Sequence, residues 1–399
     1  MKILVLDEEF PFPLNTGKRI RSFNLLSRLA TRHEVYYLAY GNGLSDGFKA
    51  LKAAGMNPIA VNHEIQKKSG LVFYFKLFIN LFSSDPYIVS SHYSESFLDK
   101  FREVLKDFNP DILLAEWTPY AKYLSTVVAV KKIIVTHNIE NRIWERYYRN
   151  ESNLLKKYFI YLQWRKLLGF ERNMLFFADG LTTVSDLERN EFLALNDRLS
   201  IEVIDNGVDL DYFKPDVKID PTGHSLVFTG SMDWRPNQDS IRYFMSDIHP
   251  LLLKQCPDYT ITIVGRNPPP DIMRYNDYDY VTVTGTVDDV RPYIAGAQVY
   301  IVPLRIGGGS RLKILEAMAM GKPVVSTSIG AEGLAVTPDT DIILADDPAT
   351  FTASILRLFA DPGLRKYVGS AGRLLVERLY DWDRLSHKLE AFIRRIASL

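Results

Sequence analysis

The stretch VYIVPLRIGGGSRLKILEAMAMGKP, residues 299–323, decides how the whole chain is interpreted. Its apolar start predicts a buried strand, three glycines follow at 307–309, and an amphipathic helical pattern runs from Ser310 to Gly321. Glycines let the backbone approach a ligand closely, and the N-terminus of a helix offers unpaired N–H groups and partial positive charge. The strand, turn and helix therefore predict an anion-binding site.

Three charged residues lie at the start of this predicted helix. The helix dipole disfavours cations there, so Arg311 and Lys313 would be compensated by an anionic ligand. Glu316 lies one turn beyond Lys313, where its carboxylate could accept both hydroxyls of a ribose. In the alternative interpretation the glycines form only a tight turn, and Lys313 and Glu316 form an exposed ion pair.

The same alternation of buried strands and amphipathic helices continues through the chain. Near-continuous apolar runs such as 2–7, 111–116, 225–230 and 298–303 are typical of parallel strands covered on both faces. They predict a doubly wound α/β fold with too many strands for one sheet. Turn residues cluster at 206–223. We therefore expect two Rossmann-like domains facing each other across a cleft, at 1–205 and 206–380, with a helix at 381–399 that packs back on the first domain.

Composition narrows the possible partners and the compartment. The 399 residues include 48 Lys and Arg against 48 Asp and Glu, and this neutral balance argues against a nucleic-acid partner. The single Cys256 excludes a disulfide framework and a Cys-based zinc site, and it fits a reducing compartment. The apolar stretch 70–82 is interrupted by Lys76 and Asn80 and is too short to span a bilayer. We expect a cytoplasmic protein, at most peripheral at the inner face of a membrane.

Several chemistries lack their sequence signatures. The first strand runs into Asp7-Glu8-Glu9 and not into Gly-x-Gly-x-x-Gly, which counts against a dinucleotide oxidoreductase. The Asp277-Tyr278-Asp279 segment has the form of a metal–diphosphate motif, but its polar surroundings favour a solvated loop. The seven histidines show no metal-ligand spacing. We therefore expect no metal site and no cofactor.

The residues at 315–325, LEAMAMGKPVV, look like the signature helix of the family 4 retaining glycosyltransferases, which have the GT-B fold. Other blocks resemble that family in the same order along the chain: Thr183-Val184-Ser185, Asn206-Gly207-Val208-Asp209, residues 226–230, 263–265 and 284–287, and Gly330-Ala331-Glu332-Gly333-Leu334. The resemblance covers nearly all of the C-terminal half and, more weakly, the N-terminal half. It indicates the bacterial type that builds polysaccharides or lipid-linked glycans.

The resemblance implies a nucleotide-sugar donor, with roles assigned as follows. Glu316 would bind the donor ribose, and the diphosphate would be held by Gly308, Gly309, Ser310, Arg311 and Lys313. The sugar hydroxyls would meet Gly330, Ala331 and Glu332, and the base would lie near Arg266 and Val287. In the first domain, Gly17 belongs to a loop that resembles the family's loop over the phosphates, and His137 matches its active-site histidine.

Two departures from the family pattern concern the donor site. The family commonly has a second Glu eight positions before the Glu at 316, where this chain has Gly308. It also commonly places a phosphate-binding Arg and Lys after the first strand of the second domain, where this chain has the segment 230–237, GSMDWRPN. We expect Arg311 and Lys313 to take over that anion-binding role, as catalytic groups together with His137.

The resemblance further implies transfer to a hydroxyl of a glycan or lipid-linked acceptor with retention of configuration, by a front-face route in which the leaving diphosphate takes the acceptor proton. A basic aromatic stretch at 142–177, with eight cations and three acids, could lie on an anionic membrane. The alternative interpretation of this stretch is a helix pair with a solvated basic face and buried aromatics.

Two other functions fit the same fold: a nucleotide-sugar epimerase, which needs no acceptor, and a non-catalytic nucleotide-sugar-binding protein.

Overall fold

The computed structural model describes residues 1–62, 70–215, 219, 221, 223–306 and 311–398. The chain forms two compact units, Met1–Asp205 together with Leu385–Leu399, and Asn206–Arg384. Each unit has its own parallel sheet and its own hydrophobic core.

The sheet of the first unit has seven strands among the described residues, in the order β3-β2-β1-β4-β5-β6-β7. They are β1 (Lys2–Asp7), β2 (Glu34–Tyr40), β3 (Asn57–Val61), β4 (Ile112–Ala115), β5 (Lys131–Val135), β6 (Gly180–Thr183) and β7 (Ser200–Val203). All neighbours pair in parallel, and the register of the centre aligns Val5 with Tyr37 and Leu114. The apolar run of β1 is buried from Ile3 onward because helices cover both faces of the sheet.

Helices connect these strands. They are α1 (Gly17–Ala30), α2 (Asp46–Ala53), α3 (Leu71–Asn80), α4 (Tyr87–Ser90), α5 (Glu95–Phe108), α6 (Ala121–Leu124), α7 (Glu140–Asn150), α8 (Leu154–Phe177) and α9 (Asp186–Leu193). Several begin at side-chain caps that the sequence contains. Thr16, Ser94 and Ser185 each accept a hydrogen bond from the backbone N–H three residues on.

In the described part of the second unit the sheet has six parallel strands, in the order β10-β9-β8-β11-β12-β13. They are β8 (Ser225–Thr229), β9 (Thr260–Val264), β10 (Val281–Gly285), β11 (Val299–Val302), β12 (Val324–Ser326) and β13 (Ile343–Leu344). The third, second, first and fourth strands adjoin in both units, which is the Rossmann order. Each sheet therefore has a switch point between its first and fourth strands, where ligands bind beyond the carboxyl ends in such folds.

Helices of the second unit are α10 (Arg235–Tyr243), α11 (His249–Gln255), α12 (Pro270–Met273), α13 (Arg291–Gly296), α14 (Leu312–Ala319), α15 (Pro348–Ala360) and α16 (Pro362–Leu379). A π-helical segment, Phe244–Ile248, joins α10 to α11. The packing of α16 on the end of α14 is close. A Cβ at Gly369 would lie 2.1 Å from the carbonyl oxygen of Gly321.

The last helix, α17 (Trp382–Ala397), contains the boundary between the units. From Leu385 onward it belongs to the first unit. There Glu390 forms an ion pair with Arg32 at 2.6 Å, and the ring of Phe392 lies 2.8 Å from where a Cβ at Gly180 would be. A side chain at Gly180 would therefore displace this helix from the sheet.

Candidate functional site

Helix α14 is the first helix after β11, the strand that adjoins β8 at the switch point of the second sheet. The predicted donor-binding residues Gly308, Gly309 and Ser310 lie outside the described residues. Helix α14 begins at Leu312, two residues later than the sequence pattern predicts. Its N-cap is Arg311, whose φ of 35° is in the left-handed region that non-glycine residues rarely adopt.

Lys313 extends from α14 to the end of the neighbouring strand β8. Its Nζ donates to Asn237 Oδ1 at 2.6 Å and lies 4.3 Å from the centre of the Phe228 ring. A Cβ on Gly230 would approach that Nζ to 2.8 Å, so glycine is what leaves room for the ammonium. The helix thus brings a cation to the carboxyl end of β8.

The charge of Lys313 is not neutralised by an ion pair in the described part of the chain. Burial lowers the pKa of its ammonium to about 7; Glu316 opposes this shift, and Arg311 adds to it. A buried cation without a counter-ion is costly, and an anionic ligand would remove that cost. The environment of Lys313 is therefore suited to a phosphate.

Glu316 lies on the next turn of the same helix. Burial raises the pKa of its carboxyl to about 7, and Lys313 only partly opposes this effect. No hydrogen bond or ion pair to the Glu316 carboxylate is present among the described residues, so its two carboxylate oxygens can still accept hydrogen bonds. The alternative interpretation, an exposed ion pair between Lys313 and Glu316, is not what the structure shows, because Lys313 is directed to Asn237.

Arg311 is bound to the loop that follows β12. Its Nη2 lies 3.2 Å from Glu332 Oε2, and its Nε donates to the Glu332 carbonyl oxygen at 3.3 Å. Desolvation lowers the pKa of the guanidinium, and Glu332 opposes the shift. Its charge is therefore offset within the protein by a carboxylate, unlike that of Lys313, whose ammonium binds a neutral amide oxygen.

The loop from Gly330 to Glu332, predicted to meet the sugar hydroxyls, is a compact turn. Its N–H groups donate to Thr327 Oγ1, to the Thr327 carbonyl and to the Ile329 carbonyl. A Cβ on Gly330 would lie 2.3 Å from Ser326 Oγ. Since these N–H groups already have acceptors, the polar atoms that the loop offers are carbonyl oxygens and the exposed carboxylate of Glu332.

Arg266 and Val287, predicted to lie near the base, follow the neighbouring strands β9 and β10 at the same edge of the sheet. The Nε of Arg266 donates to Ser231 Oγ and to Asp233 Oδ2, both at 3.0 Å. Val287 is partly buried against the core. The hydrogen bonds of Arg266 hold the loop after β8 against the end of β9. This loop is the one whose sequence departs from the family pattern.

The first unit gathers ionisable side chains at its own switch point. Asp7 ends β1, Glu116 follows β4 and His137 follows β5 by two residues. Asp7 is buried, accepting from Lys18 Nζ and from the Tyr37 hydroxyl, each at 2.6 Å. Burial raises the pKa of Asp7 to about 7, although Lys18 opposes it.

His137 contacts Glu116 in two ways. Its Nε2 lies 2.8 Å from the Glu116 carbonyl oxygen and 3.5 Å from Glu116 Oε2. A carbonyl oxygen only accepts, so Nε2 carries the proton. Burial lowers the pKa of the imidazole, and Glu116 opposes that effect. A neutral ring protonated at Nε2 leaves Nδ1 as a hydrogen-bond acceptor.

Gly17 is the first residue of α1, after the N-cap Thr16. The two cations that follow it are neutralised by the acidic run after β1. Lys18 binds Asp7 and Glu8, the latter at 2.8 Å, and Arg19 binds Glu9. Their charge is therefore already balanced, whereas that of Lys313 is not.

Sequence reasoning missed two features. Asn237, the partner of Lys313, lay within the segment 230–237 that was noted only for lacking the family's cations. His224, Cys256 and Asp258 bring their ligand atoms within 4.8 Å of one another, although no sequence spacing indicated it. They precede β8 and β9 and so lie at the opposite edge of the sheet from Lys313. The absence of a metal remains a prediction.

No helix among the described residues is long and apolar enough to cross a membrane. The basic aromatic stretch forms two helices, α7 and α8, with Tyr148 stacked on Trp164 at 5.8 Å between ring centres.

Two family profiles match the chain. The profile described as Glycosyltransferase Family 4 matches residues 20–212, and the profile described as Glycosyl transferases group 1 matches residues 223–361.

Among similar proteins, an uncharacterised 44.6 kDa protein in the cps region of Klebsiella pneumoniae is 23% identical over 95% of this chain and 96% of its own length. Two GDP-mannose-dependent phosphatidylinositol monomannoside mannosyltransferases, from Corynebacterium glutamicum and Mycobacterium tuberculosis, are each 27% identical. These alignments cover 53% and 54% of this chain, which spans only 61% and 62% of their lengths.

Solved structures of similar fold cover nearly the whole chain. Sucrose-phosphate synthase from Thermosynechococcus elongatus has a TM-score of 0.71 at 17% identity, covering 99% of both chains. Alr3699/HepE of Anabaena, in complex with UDP and glucose, has a TM-score of 0.65 at 14% identity and the same coverage of both chains. The predicted fold class, two Rossmann-like sheets of the GT-B type, is confirmed. Since both units match profiles of glycosyltransferases, the chain belongs to the family 4 glycosyltransferases, enzymes that transfer a glycosyl group.

Proposed function

We propose that this enzyme transfers a hexose from a nucleotide-sugar donor to a hydroxyl of a glycan or lipid-linked acceptor, with retention of anomeric configuration. The observation that carries the donor assignment is Lys313, a partly buried lysine at the switch point of the second unit whose ammonium has no ion-pair partner among the described residues. A diphosphate supplies the charge that this position lacks. The names of relatives that use GDP-mannose and of a neighbour crystallised with UDP and glucose support the same class of donor.

In this proposal Lys313 stabilises the diphosphate as it leaves. Negative charge grows on the leaving group in the transition state, and a cation already held in place there lowers the barrier. Asn237 positions the ammonium, and Phe228 supports it from the face of its ring. Arg311 holds the Glu332 loop beside the sugar, so its contribution is mainly positioning.

The other roles follow from which atoms remain available. Glu316 would accept the ribose hydroxyls when ionised. The Nδ1 of His137 would accept a hydrogen bond from a sugar hydroxyl, since its Nε2 is committed to Glu116. Arg266 and Val287 would border the base, and Gly17 with the turn at 308–310 would approach the phosphates.

We also propose that transfer needs no metal. Asp277 and Asp279 precede β10 and are exposed, so they lie at the amino ends of the strands, away from Lys313. The positive charge for the leaving group would instead come mainly from Lys313, with Arg311 in a positioning role. Activity that survives EDTA would support this, and activity restored only by a divalent cation would contradict it.

A thermal-shift screen of UDP-, GDP- and dTDP-sugars tests the donor, because a ligand that binds the folded state raises its apparent stability. We expect the nucleotide-sugars of one of these three bases to raise the unfolding temperature of the wild type and not that of Lys313→Met. Lys254→Met, which removes an exposed lysine of the same unit, is the matched control.

Proton NMR of the product then tests whether the anomeric configuration is retained, and an inverted anomeric signal would refute retention.

A further inference from the structure

Helix α3 of the first unit has an apolar surface that no described residue covers. Six of its ten side chains are between 53 and 89% exposed, and all six are hydrophobic. They are Leu71, Val72, Tyr74, Phe75, Phe78 and Ile79, and the exposed Phe82 follows the helix. A surface helix normally turns its polar face outward, so this arrangement is reversed.

The exposed residues form one continuous face. At 3.6 residues per turn they fall within about 160° of the helix circumference. The opposite side carries Phe73, Leu77 and the buried Asn80. The ring of Phe73 packs edge-on against the ring of Tyr87, with 5.9 Å between the ring centres. The helix is therefore apolar on both sides, with one side packed on the protein and the other open.

The C-terminal end of α3 is held in place by α8. Gln163 donates to Asn80 Oδ1 at 2.9 Å, and both side chains are buried. Lys166 donates to the carbonyl oxygens of Asn80 and Leu81, which satisfies acceptors at the end of the helix. These contacts fix the helix with its apolar face outward.

The charge that α3 itself carries is positive. No acidic residue occurs between 70 and 84, and Lys76 lies at the border between the two sides of α3. Helix α8, whose Gln163 and Lys166 hold the end of α3, carries the exposed Leu154, Leu155 and Lys156 in its first turn. Neither Lys76 nor Lys156 has an ion-pair partner in the described part of the chain.

We propose that α3 inserts its apolar face into the surface of an anionic lipid bilayer, with Lys76 meeting the headgroups. A ten-residue helix is too short to span a bilayer, but a helix with one wholly apolar face and flanking cations lies in the interfacial plane. Anionic lipid attracts the lysines, whereas a neutral protein surface would not. The inference rests on the proposed function for its purpose, since it would bring a lipid-linked acceptor to the enzyme.

Vesicle flotation of the full chain tests the proposal. We expect binding to vesicles enriched in phosphatidylglycerol, weaker binding to phosphatidylcholine alone, and loss of binding at high salt. The double variant Phe75→Ser, Phe78→Ser should lower the bound fraction at least tenfold. The control Tyr367→Ser, Leu374→Ser changes two exposed apolar residues of α16 and should bind like the wild type.

Donor binding, measured by thermal shift on both variants, should not change, so failure of membrane docking is distinguishable from failure of the proposed function. An unchanged unfolding temperature without donor confirms that both variants fold. Equal vesicle binding by the wild type and the α3 variant would overturn the proposal, as would absence of binding by the wild type. A wild-type dimer in sedimentation that the α3 variant dissociates, without vesicle binding, would instead assign the face to a second copy.

Discussion

The ammonium of Lys313 donates to Asn237 Oδ1 at 2.6 Å, which joins the helix after β11 to the helix after β8 across 76 positions of sequence. The two residues meet because β8 and β11 are adjacent parallel strands whose carboxyl ends lie at one edge. Lys313 is thereby held at the switch point, where the glycine at 230 leaves room for it.

Replacing Lys313 with Met should weaken donor binding and, at the same time, stabilise the ligand-free protein. Donor affinity, measured by isothermal titration, should fall about 10- to 100-fold, because a hydrogen bond to a charged group contributes roughly 1.5–3 kcal/mol. The ligand-free variant should unfold at a higher temperature than the wild type at pH 6–7. The lowered pKa of Lys313 means that the charged form destabilises the fold, and this penalty disappears as the pH rises from about 7 towards the unfolded value. A variant with lower stability and unchanged affinity would contradict the assignment.

Donor affinity should be greatest near pH 7. Above it Lys313 loses the proton that attracts the diphosphate, and below it Glu316 gains a proton and can no longer accept both ribose hydroxyls. A nucleotide-sugar is the suitable probe, since its diphosphate diester does not titrate in this range. Titrations from pH 5.5 to 8.5 should show the alkaline decline vanish in Lys313→Met and the acidic decline vanish in Glu316→Gln. A flat wild-type profile would show that neither group contacts the donor.

The partner of Glu316 can be identified by a double-mutant cycle. We expect the wild type to bind a donor with an intact ribose about tenfold or more better than its dideoxyribose analogue, since the lost hydrogen bonds are to a carboxylate. In Glu316→Gln the difference should be several-fold smaller. If the two proteins discriminate equally, the ribose lies elsewhere.

His137→Ala should lower kcat/KM at least tenfold while leaving the affinity for the free nucleoside diphosphate unchanged. The predicted contact is to the sugar, so a ligand without sugar should not sense the change. The lowered pKa of His137 keeps it neutral above its ordinary value of 6.5, so its contribution to the wild-type rate should be lost only as the pH falls below that value. An equal loss of nucleoside diphosphate affinity would indicate a merely structural role.

The local parts of the candidate site were predictable because they depend on neighbours in sequence. Asp7, Glu116 and His137 stand at or just after the ends of apolar runs, so their place at the carboxyl edge follows from the strand pattern. The start of α14 was placed two residues early, because Arg311 takes a left-handed conformation and not a helical one. Nothing in the local pattern indicates a positive φ at an arginine.

By itself, the sequence determined two parallel α/β sheets, a helix that begins just after the glycines at 307–309, and the family to which the chain belongs. These follow from apolar periodicity, from glycine spacing and from ordered blocks of residues, all of which can be read along the chain. Only the tertiary structure decided that Lys313 binds Asn237 and not Glu316, and that α3 leaves its apolar face uncovered. Both depend on which distant segments pack together, since the pKa of an ammonium and the exposure of a phenylalanine are set by whatever surrounds them in space.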